Sequence, residues 1–301
     1  MVSDPWGSRI VLCFFYSIRP GEEKVNKGLR HFFTGGWNCA IVTITILYKE
    51  RADSMVHSFL LIGQSNMAGR GFYTDVEKLD NPRLKMMRNG KWLNMFWPVN
   101  PDRSFAGVNL AESFADAYSK DHDVDVGLIP CADGGTRLEE WVEGSILFDN
   151  AVNNAKLAQR TSQLAGILWH QGEGDCTPDR YVDYAERFMR MADALRRQLN
   201  MPNLPILVGG LGDFLVNLVT SPDMKNYVFV NEQLEKIGRE YPNCGFVSAV
   251  GLGSNPDNLH FNAKALREFG LRYYEVYKTL DVEIKEEGGK EEIASSWMSA
   301  L

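Results

Sequence analysis

The sequence predicts an α/β protein, a three-layer α/β/α sandwich with a mainly parallel sheet. Short apolar runs alternate with longer segments of helical periodicity, and this alternation favours parallel strands joined by crossover helices. Five strand-like runs lie near residues 56–62, 124–130, 164–169, 204–210 and 245–250. Five helical patterns lie near residues 110–119, 149–162, 178–199, 226–240 and 263–279. We therefore expect one sheet with helices on both faces.

The first run, residues 56–62 (VHSFLLI), is apolar and ends in glycine, which is typical of a buried strand that enters a turn. Ser65 follows it, beyond the carboxyl end of the strand, where ligands bind in open α/β sheets. This serine is a candidate nucleophile. Alternatively, Gln64, Ser65 and Asn66 supply only turn and cap chemistry. Met67 stands where the last glycine of a Gly-x-Ser-x-Gly elbow would be, so a different serine hydrolase architecture is expected.

The run at 164–169 (LAGILW) leads directly into His170-Gln171-Gly172-Glu173-Gly174-Asp175. Two glycines let the backbone approach a ligand, and polar side chains after a buried strand are typical of an active-site loop. The side-chain amide of Gln171 could donate to a developing oxyanion. The alternative is a glycine-rich connection whose charges are simply solvated.

A pair of residues near the last strand completes a possible catalytic set. Asp257 and His260 are three residues apart, so both side chains can lie on the same side of a turn or helix. The carboxylate would orient the imidazole, and the imidazole would deprotonate Ser65. Glu173 is a second candidate for the acid. Together these residues indicate a serine hydrolase, and the helix after residue 262 is expected to anchor the histidine.

Four blocks of the sequence resemble those of the SGNH-hydrolase superfamily: GQSNM at 63–67, GVN at 107–109, WHQGE at 169–173 and DNLH at 257–260. The resemblance extends from about residue 55 to 280. It is closest to the branch that holds sialate O-acetylesterases and family 6 acetyl xylan esterases, and it implies the flavodoxin-like SGNH hydrolase fold. It also implies that Ser65 is the nucleophile, His260 the general base and Asp257 its orienting acid.

The same resemblance assigns further roles. The backbone of Ser65, a glycine amide near Gly107 and the side chain of Gln171 would form the oxyanion hole. Asn109 occupies the position where a second glycine is usual in its block, so the donor from that block stays open. Gln64 and Glu173 are expected to support the site.

A further segment, CADGGT at 131–136, follows the run at 124–130 and leads to Trp141. The related esterases carry a similar Gly-Gly-Thr and Trp element near the substrate. A backbone without side chains at Gly135 can approach a ligand, and an indole face suits a sugar ring. We therefore expect Gly135, Thr136 and Trp141 near the substrate, with a turn and a core tryptophan as the alternative.

These features predict a carbohydrate O-acetylesterase that works through an acetyl-enzyme and needs neither metal nor cofactor. The alternatives are a short-chain lipase or thioesterase of the same superfamily, and a catalytically silent glycan-binding module. The acetylated carbohydrate is the expected partner. The particular sugar and the oligomeric state stay open.

Composition excludes several other classes of protein. The net charge of −7 disfavours binding to nucleic acid. Five cysteines without regular spacing indicate neither a zinc site nor a disulfide framework. No run of eighteen apolar residues suggests a membrane span, and the sequence shows no convincing signal peptide, so a cytoplasmic location is expected.

The 301 residues are expected to hold one catalytic domain, at 55–282. Residues 1–54 contain apolar stretches at 10–16 and 39–48 without clear periodicity, and we interpret them as an artefactual extension or a poorly packed appendage. Residues 283–301 are expected to form a charged, solvated tail.

Overall fold

The computed structural model describes residues 55–282 in full, and earlier in the chain only the backbone of three short segments. Those segments are strands β1 (Val2–Ser3), β2 (Ile10–Ser17) and β3 (Cys39–Thr45), which pair antiparallel in that order. They belong to a unit, residues 1–54, that is separate from the unit that begins at Met55. The apolar stretches near residues 10 and 39 are therefore paired strands. The predicted tail at 283–301 lies outside the described residues.

The main sheet has seven strands in the order β10-β9-β8-β4-β7-β5-β6. All neighbouring pairs are parallel except β5 and β6, so the prediction of a mainly parallel sheet is confirmed. The strands are β4 (Val56–Gly63), β5 (Leu84–Arg88), β6 (Lys91–Asn94), β7 (Val126–Pro130), β8 (Ser162–His170), β9 (Ile206–Gly209) and β10 (Cys244–Val247).

The hairpin of β5 and β6 at one edge of the sheet was absent from the predicted elements. Asn89 and Gly90 connect the two strands, with φ angles of +49° and +72°. Two central residues with positive φ are typical of the tight turns that join antiparallel strands, and Asn-Gly is the strongest sequence signal for such a turn. The strands on either side of this turn contain lysines and methionines, which are not enriched in sheets. The sequence pattern therefore did not predict them as strands.

The helices form a layer on each face of this sheet. They are α1 (Ser65–Ala68), α2 (Ala111–His122), α3 (Ile146–Ala158), α4 (Pro178–Tyr181), α5 (Tyr184–Gln198), α6 (Tyr227–Glu240) and α7 (Ala263–Tyr277). Helices α2 and α7 pack against each other on one face, and α3, α5 and α6 lie on the other. The helix predicted at 178–199 is two helices, because Asp183 has non-helical φ and ψ of −120° and 18°. Of the described helices, none has the length and apolarity that a bilayer crossing requires.

Strand β4 lies at the centre of the sheet and is fixed by aromatic packing. Phe59 is fully buried, and its ring meets the rings of Phe114, Tyr118 and Tyr277 edge to face at centroid distances of 4.8, 5.0 and 5.5 Å. Each such pair contributes about 0.5–1.5 kcal/mol beyond its buried area. This packing holds β4 rigidly against α2 and α7.

The order of the strands determines where polar loops meet. After β4 the chain builds the β7–β5 side of the sheet, and it then returns to place β8 on the other side of β4. The carboxyl ends of β4, β7 and β8 are therefore adjacent, and a crevice forms where the strand order reverses. The loops after these three strands carry Ser65, the 131–136 segment and the 170–175 segment.

Candidate active site

Ser65 lies at the sharp turn between β4 and α1. Gly63 ends the strand with φ +128°, and a Cβ at that position would lie 2.1 Å from the carbonyl oxygen of His170. Only glycine fits so close to the neighbouring strand. The N–H of Gln64 then donates to the same carbonyl at 2.9 Å, which extends the contact between β4 and β8. Ser65 is the first residue of α1 and is 7% exposed.

The structure brings Ser65, His260 and Asp257 together in one chain of contacts. His260 Nε2 lies 3.0 Å from Ser65 Oγ, and His260 Nδ1 lies 2.7 Å from Asp257 Oδ2. Asp257 Oδ1 accepts from the backbone N–H groups of Leu259 at 2.9 Å and of His260 at 3.0 Å. The carboxylate thus fixes the turn and holds a proton on Nδ1, which leaves Nε2 free to accept the serine proton.

The charge state of Asp257 suits this arrangement. Burial alone would raise the pKa of its carboxyl, but the N–H groups of His260 and Leu259 and the His260 ring outweigh burial and lower that pKa below its ordinary value. Asp257 is therefore ionised at neutral pH. An ionised carboxylate can only accept, so Nδ1 must be the protonated nitrogen.

Gln171, an expected oxyanion donor, is buried and already occupied in this structure. Its Nε2 group lies 2.7 Å from Asp175 Oδ2, 3.1 Å from the carbonyl of Thr136 and 3.3 Å from Gln64 Oε1. Its Oε1 accepts from the Tyr184 hydroxyl at 2.9 Å. None of these contacts joins the amide to Ser65. Instead, Gln171 and Gln64 join the loops after β4, β7 and β8.

Asp175 completes this buried network. Burial raises the pKa of its carboxyl, and the Leu138 N–H, the Gln171 amide and Arg187 oppose that shift. Asp175 Oδ2 accepts from the Leu138 N–H at 2.9 Å, and Arg187 Nη2 lies 3.4 Å from Oδ1. The network ties the 170–175 loop to the 136–138 segment.

Glu173, the second candidate acid, contacts Asn66 and not His260. Its Oε1 accepts from Asn66 Nδ2 at 2.5 Å and lies 3.9 Å from Nδ1 of His170. Burial lowers the pKa of His170, and the Nε2 of that ring faces the carbonyl of Gly210 at 3.1 Å. The carboxylate that touches the His260 ring is that of Asp257.

The backbone N–H groups of Gly107 and Asn109, which the sequence suggested as oxyanion donors, are already engaged in this structure. The Gly107 N–H donates to the carbonyl of Gly69 at 3.0 Å, and the Asn109 N–H donates to Glu112 Oε1 at 3.1 Å. A Cβ at Gly107 would lie 2.1 Å from the carbonyl oxygen of Gly71. Glycine is therefore required for close pairing with the chain that follows Ser65. The Asn109 side chain is fully buried and has no hydrogen-bond partner among the described residues.

The loop after β7 lies directly beside Ser65, and the sequence analysis did not single out Gly134 in this loop. A Cβ at Gly134 would lie 3.5 Å from Ser65 Cβ, 2.5 Å from Arg70 Nη2 and 2.8 Å from Asp102 Oδ2. Arg70 and Asp102 form a buried ion pair at 2.6 Å, and Asp102 Oδ2 also accepts from the Gly134 N–H at 2.9 Å. Gly135 has φ +82° and is exposed. The signal for this loop was a glycine pair after a buried strand.

Trp141 is a core residue and not a surface for a sugar. Its side chain is 1% exposed, its ring meets Trp169 edge to face at 5.7 Å, and its Nε1 group donates to Thr136 Oγ1 at 3.1 Å. Thr136 Oγ1 in turn donates to the carbonyl of Asp133 at 2.8 Å. Thr136 and Trp141 therefore brace the loop from inside. Within residues 55–282, no group of three or more His, Cys, Asp or Glu side chains is arranged to hold a metal ion.

Comparison with known proteins identifies the family to which this chain belongs. Residues 55–279 match the family described as carbohydrate esterase, sialic acid-specific acetylesterase. The chain belongs to this family. A probable carbohydrate esterase of Arabidopsis thaliana is 29% identical over 242 residues, which cover 73% of this chain and 89% of that protein.

Solved structures show the same fold. An X-ray structure of an Arabidopsis thaliana protein matches with a TM-score of 0.67 and 26% identity, over 75% of this chain and 99% of that one. NanS matches with a TM-score of 0.61 and 17% identity, over 75% of this chain and 97% of the NanS chain. A carbohydrate acetylesterase from Xanthomonas citri matches with a TM-score of 0.58 and 18% identity, over 80% of this chain and 58% of that one.

Membership of the carbohydrate esterase family confirms the predicted activity and the predicted class of substrate. The chain is a carboxylic ester hydrolase of the carbohydrate acetylesterase type, and its substrate class is acetylated carbohydrate. The predicted α/β fold, with helices on both faces of a mainly parallel sheet, is likewise confirmed.

Proposed function

We propose that the chain removes acetyl groups from carbohydrates through an acetyl-enzyme formed on Ser65. The observation that supports this most is the continuous contact from Ser65 Oγ to His260 Nε2 at 3.0 Å and from His260 Nδ1 to Asp257 at 2.7 Å. Ser65 Oγ attacks the ester carbonyl while Nε2 takes its proton. As the bond between the carbonyl carbon and the sugar oxygen breaks, Nε2 gives that proton to the departing oxygen, which leaves as a sugar hydroxyl. Water activated by His260 hydrolyses the acetyl-enzyme and releases acetate.

The negative oxygen of each tetrahedral intermediate needs donors that are not otherwise engaged. The backbone N–H groups of Ser65 and Gly135 meet this condition, because neither donates to another group among the described residues. Gly134 brings the second loop against Ser65, which supports Gly135 as the partner donor. Loss of one such donor typically costs about 3–4 kcal/mol of transition-state stabilisation.

The surroundings of Ser65 favour a short acyl group on a polar alcohol. The Gly134 backbone, the buried Arg70–Asp102 pair and the His260 ring lie around the nucleophile, and Ser65 is only 7% exposed. Polar side chains around Ser65 suit a sugar, and backbone packed close to Ser65 suits an acyl group as short as acetyl. A lipase would need apolar surface for a long acyl chain.

An acyl-length series combined with a sugar screen tests this proposal. Aryl acetate, butyrate and octanoate are compared first, and acetate release is then measured on acetylated xylo-oligosaccharides and acetylated sialosides. We expect acetate to be the preferred acyl group and at least one acetylated glycan to be deacetylated, with Ser65→Ala inactive throughout. A preference for octanoate would contradict the acetyl specificity and favour the lipase alternative.

A further inference from the structure

The side chain of Asn66 lies between the nucleophile and the turn that carries the histidine. Asn66 directly follows Ser65 in α1 and is 1% exposed. Its Nδ2 group donates to the carbonyl of Leu259 at 3.3 Å, and its Oδ1 accepts from the N–H of Phe261 at 3.1 Å. Leu259 and Phe261 are the two neighbours of His260. One amide therefore contacts the backbone on both sides of the imidazole.

The orientation of this amide follows from its partners. The Phe261 N–H can only donate, so it must face the amide oxygen, and the Leu259 carbonyl can only accept, so it must face the amide nitrogen. The second proton of Nδ2 points to Glu173 Oε1 at 2.5 Å. A flipped amide would oppose all three partners.

Glu173 completes the arrangement from the loop after β8. Its side chain is buried, Oε1 accepts from Asn66, and Oε2 has no hydrogen-bond partner among the described residues. A buried carboxylate that accepts from an amide fixes the rotation of that amide more firmly than a neutral acceptor does. Glu173 therefore acts on Asn66, which in turn contacts the segment around His260.

We propose that Asn66 is a positioning residue that sets the distance between His260 Nε2 and Ser65 Oγ, and that Glu173 acts through Asn66 and not as the acid of the triad. This inference rests on the proposed serine mechanism. Within the turn, Asp257 Oδ1 accepts from the Leu259 and His260 N–H groups, and the Asn255 N–H donates to the His260 carbonyl at 2.7 Å. These bonds close the turn on itself. Asn66 supplies the direct link from the histidine's own peptide groups to the residue beside the nucleophile.

The turn also offers a matched control. Asn255 is 5% exposed, and its Nδ2 group donates to the carbonyl of Arg70 at 2.9 Å. It is thus a second buried asparagine that binds a backbone carbonyl, but its side chain makes no hydrogen bond to the described residues that flank His260. Asn255→Ala removes a similar hydrogen bond without removing the proposed positioning contact.

The first experiment measures kcat and KM on an aryl acetate for Asn66→Ala and Asn255→Ala, together with the melting temperature of each. A displacement of about 1 Å at a reacting group costs about a hundredfold in rate. We expect Asn66→Ala to lower kcat by about a hundredfold with KM nearly unchanged, and Asn255→Ala to lower kcat far less at a similar loss of melting temperature. Equal losses of kcat in the two variants would overturn the proposal.

A second experiment exchanges the two polar groups. Asn66→Asp alone places a carboxylate against Glu173, whereas the double variant Asn66→Asp with Glu173→Gln restores an amide facing a carboxylate. It also keeps the acceptor for Phe261. We expect the double variant to recover at least about tenfold in kcat over Asn66→Asp, because the charge-assisted contact returns. A double variant no more active than Asn66→Asp would overturn the coupling, and this comparison stands even if Asn66→Ala fails to fold.

Ser65→Ala separates this inference from the mechanism on which it rests. Full activity in Ser65→Ala would refute the serine mechanism itself. An inactive Ser65→Ala together with a fully active Asn66→Ala would refute only the positioning role of Asn66.

Discussion

Replacement of Asp257 by asparagine changes one atom and reverses the tautomer of the imidazole. The new side chain keeps an oxygen for the N–H groups of Leu259 and His260, so the turn is retained. Its NH₂ group then faces His260 Nδ1, where the structure places a carboxylate oxygen at 2.7 Å. Nδ1 must now accept, the ring proton moves to Nε2, and Nε2 can no longer take the proton of Ser65.

The size of the effect follows from how exposed the pair is. In a well-studied triad with a buried aspartate this change lowers kcat by about ten-thousandfold. Here the side chain of Asp257 is 46% exposed and that of His260 is 16% exposed, so water competes for Nδ1 and softens the tautomer preference. We therefore expect a loss of about a thousandfold, which corresponds to about 4 kcal/mol in activation free energy.

The assay compares kcat of Asp257→Asn with that of Glu173→Gln on the same acetyl ester, with circular dichroism to confirm that both are folded. Glu173→Gln keeps an oxygen acceptor for Asn66, so we expect a loss of only about fivefold. The reasoning is refuted if Glu173→Gln is the slower enzyme, because the acid role would then belong to Glu173.

Three further outcomes follow from the contacts around the site. Asp102→Ala leaves the Arg70 guanidinium buried without its partner and should lower the free energy of unfolding by about 3–5 kcal/mol in urea titrations, whereas a loss below about 1 kcal/mol would show that the pair contributes little. Gly63→Ala forces a side chain into a backbone with φ +128° against the His170 carbonyl, and we expect at least about 2 kcal/mol of destabilisation, a result that an unchanged melting curve would contradict. Burial raises the pKa of Cys131 and Cys244 to about 12, so both thiols should resist iodoacetamide at pH 8 in the native protein and react in urea, and rapid native labelling at either position would refute their burial.

Local sequence signals located much of the candidate catalytic set. The strand before Ser65 is marked by an apolar run with a terminal glycine, and the spacing of Asp257 and His260 placed both side chains on one turn. The contact between Ser65 and His260 spans 195 positions in the sequence. It arises because β4 lies at the centre of the sheet and the turn before α7 meets the residues that follow β4, and only the topology of the sheet determines that meeting.

Hydrogen bonds and packing between residues that are far apart in the sequence account for the features that the sequence did not predict. The glycine at position 107 is typical of a loop that donates backbone N–H groups to a ligand. Its N–H donates instead to the carbonyl of Gly69, a partner that no local sequence pattern identifies. From the sequence alone, Trp141 could either stack on a sugar or fill the core. Its edge-to-face contact with Trp169 of β8 shows that it fills the core. Asn66 stood in the recognised GQSNM block, yet its contacts on both sides of His260 depend on the folded turn.

The acetyl-enzyme on Ser65 is tested most directly by rapid-quench mass spectrometry during turnover of an acetyl ester, with acetate release measured in parallel. We expect an acetyl group on the peptide that contains Ser65 in the wild-type protein. In Ser65→Ala, we expect no such adduct and acetate release lower by several orders of magnitude. Acetate release at a near wild-type rate by folded Ser65→Ala would contradict the account.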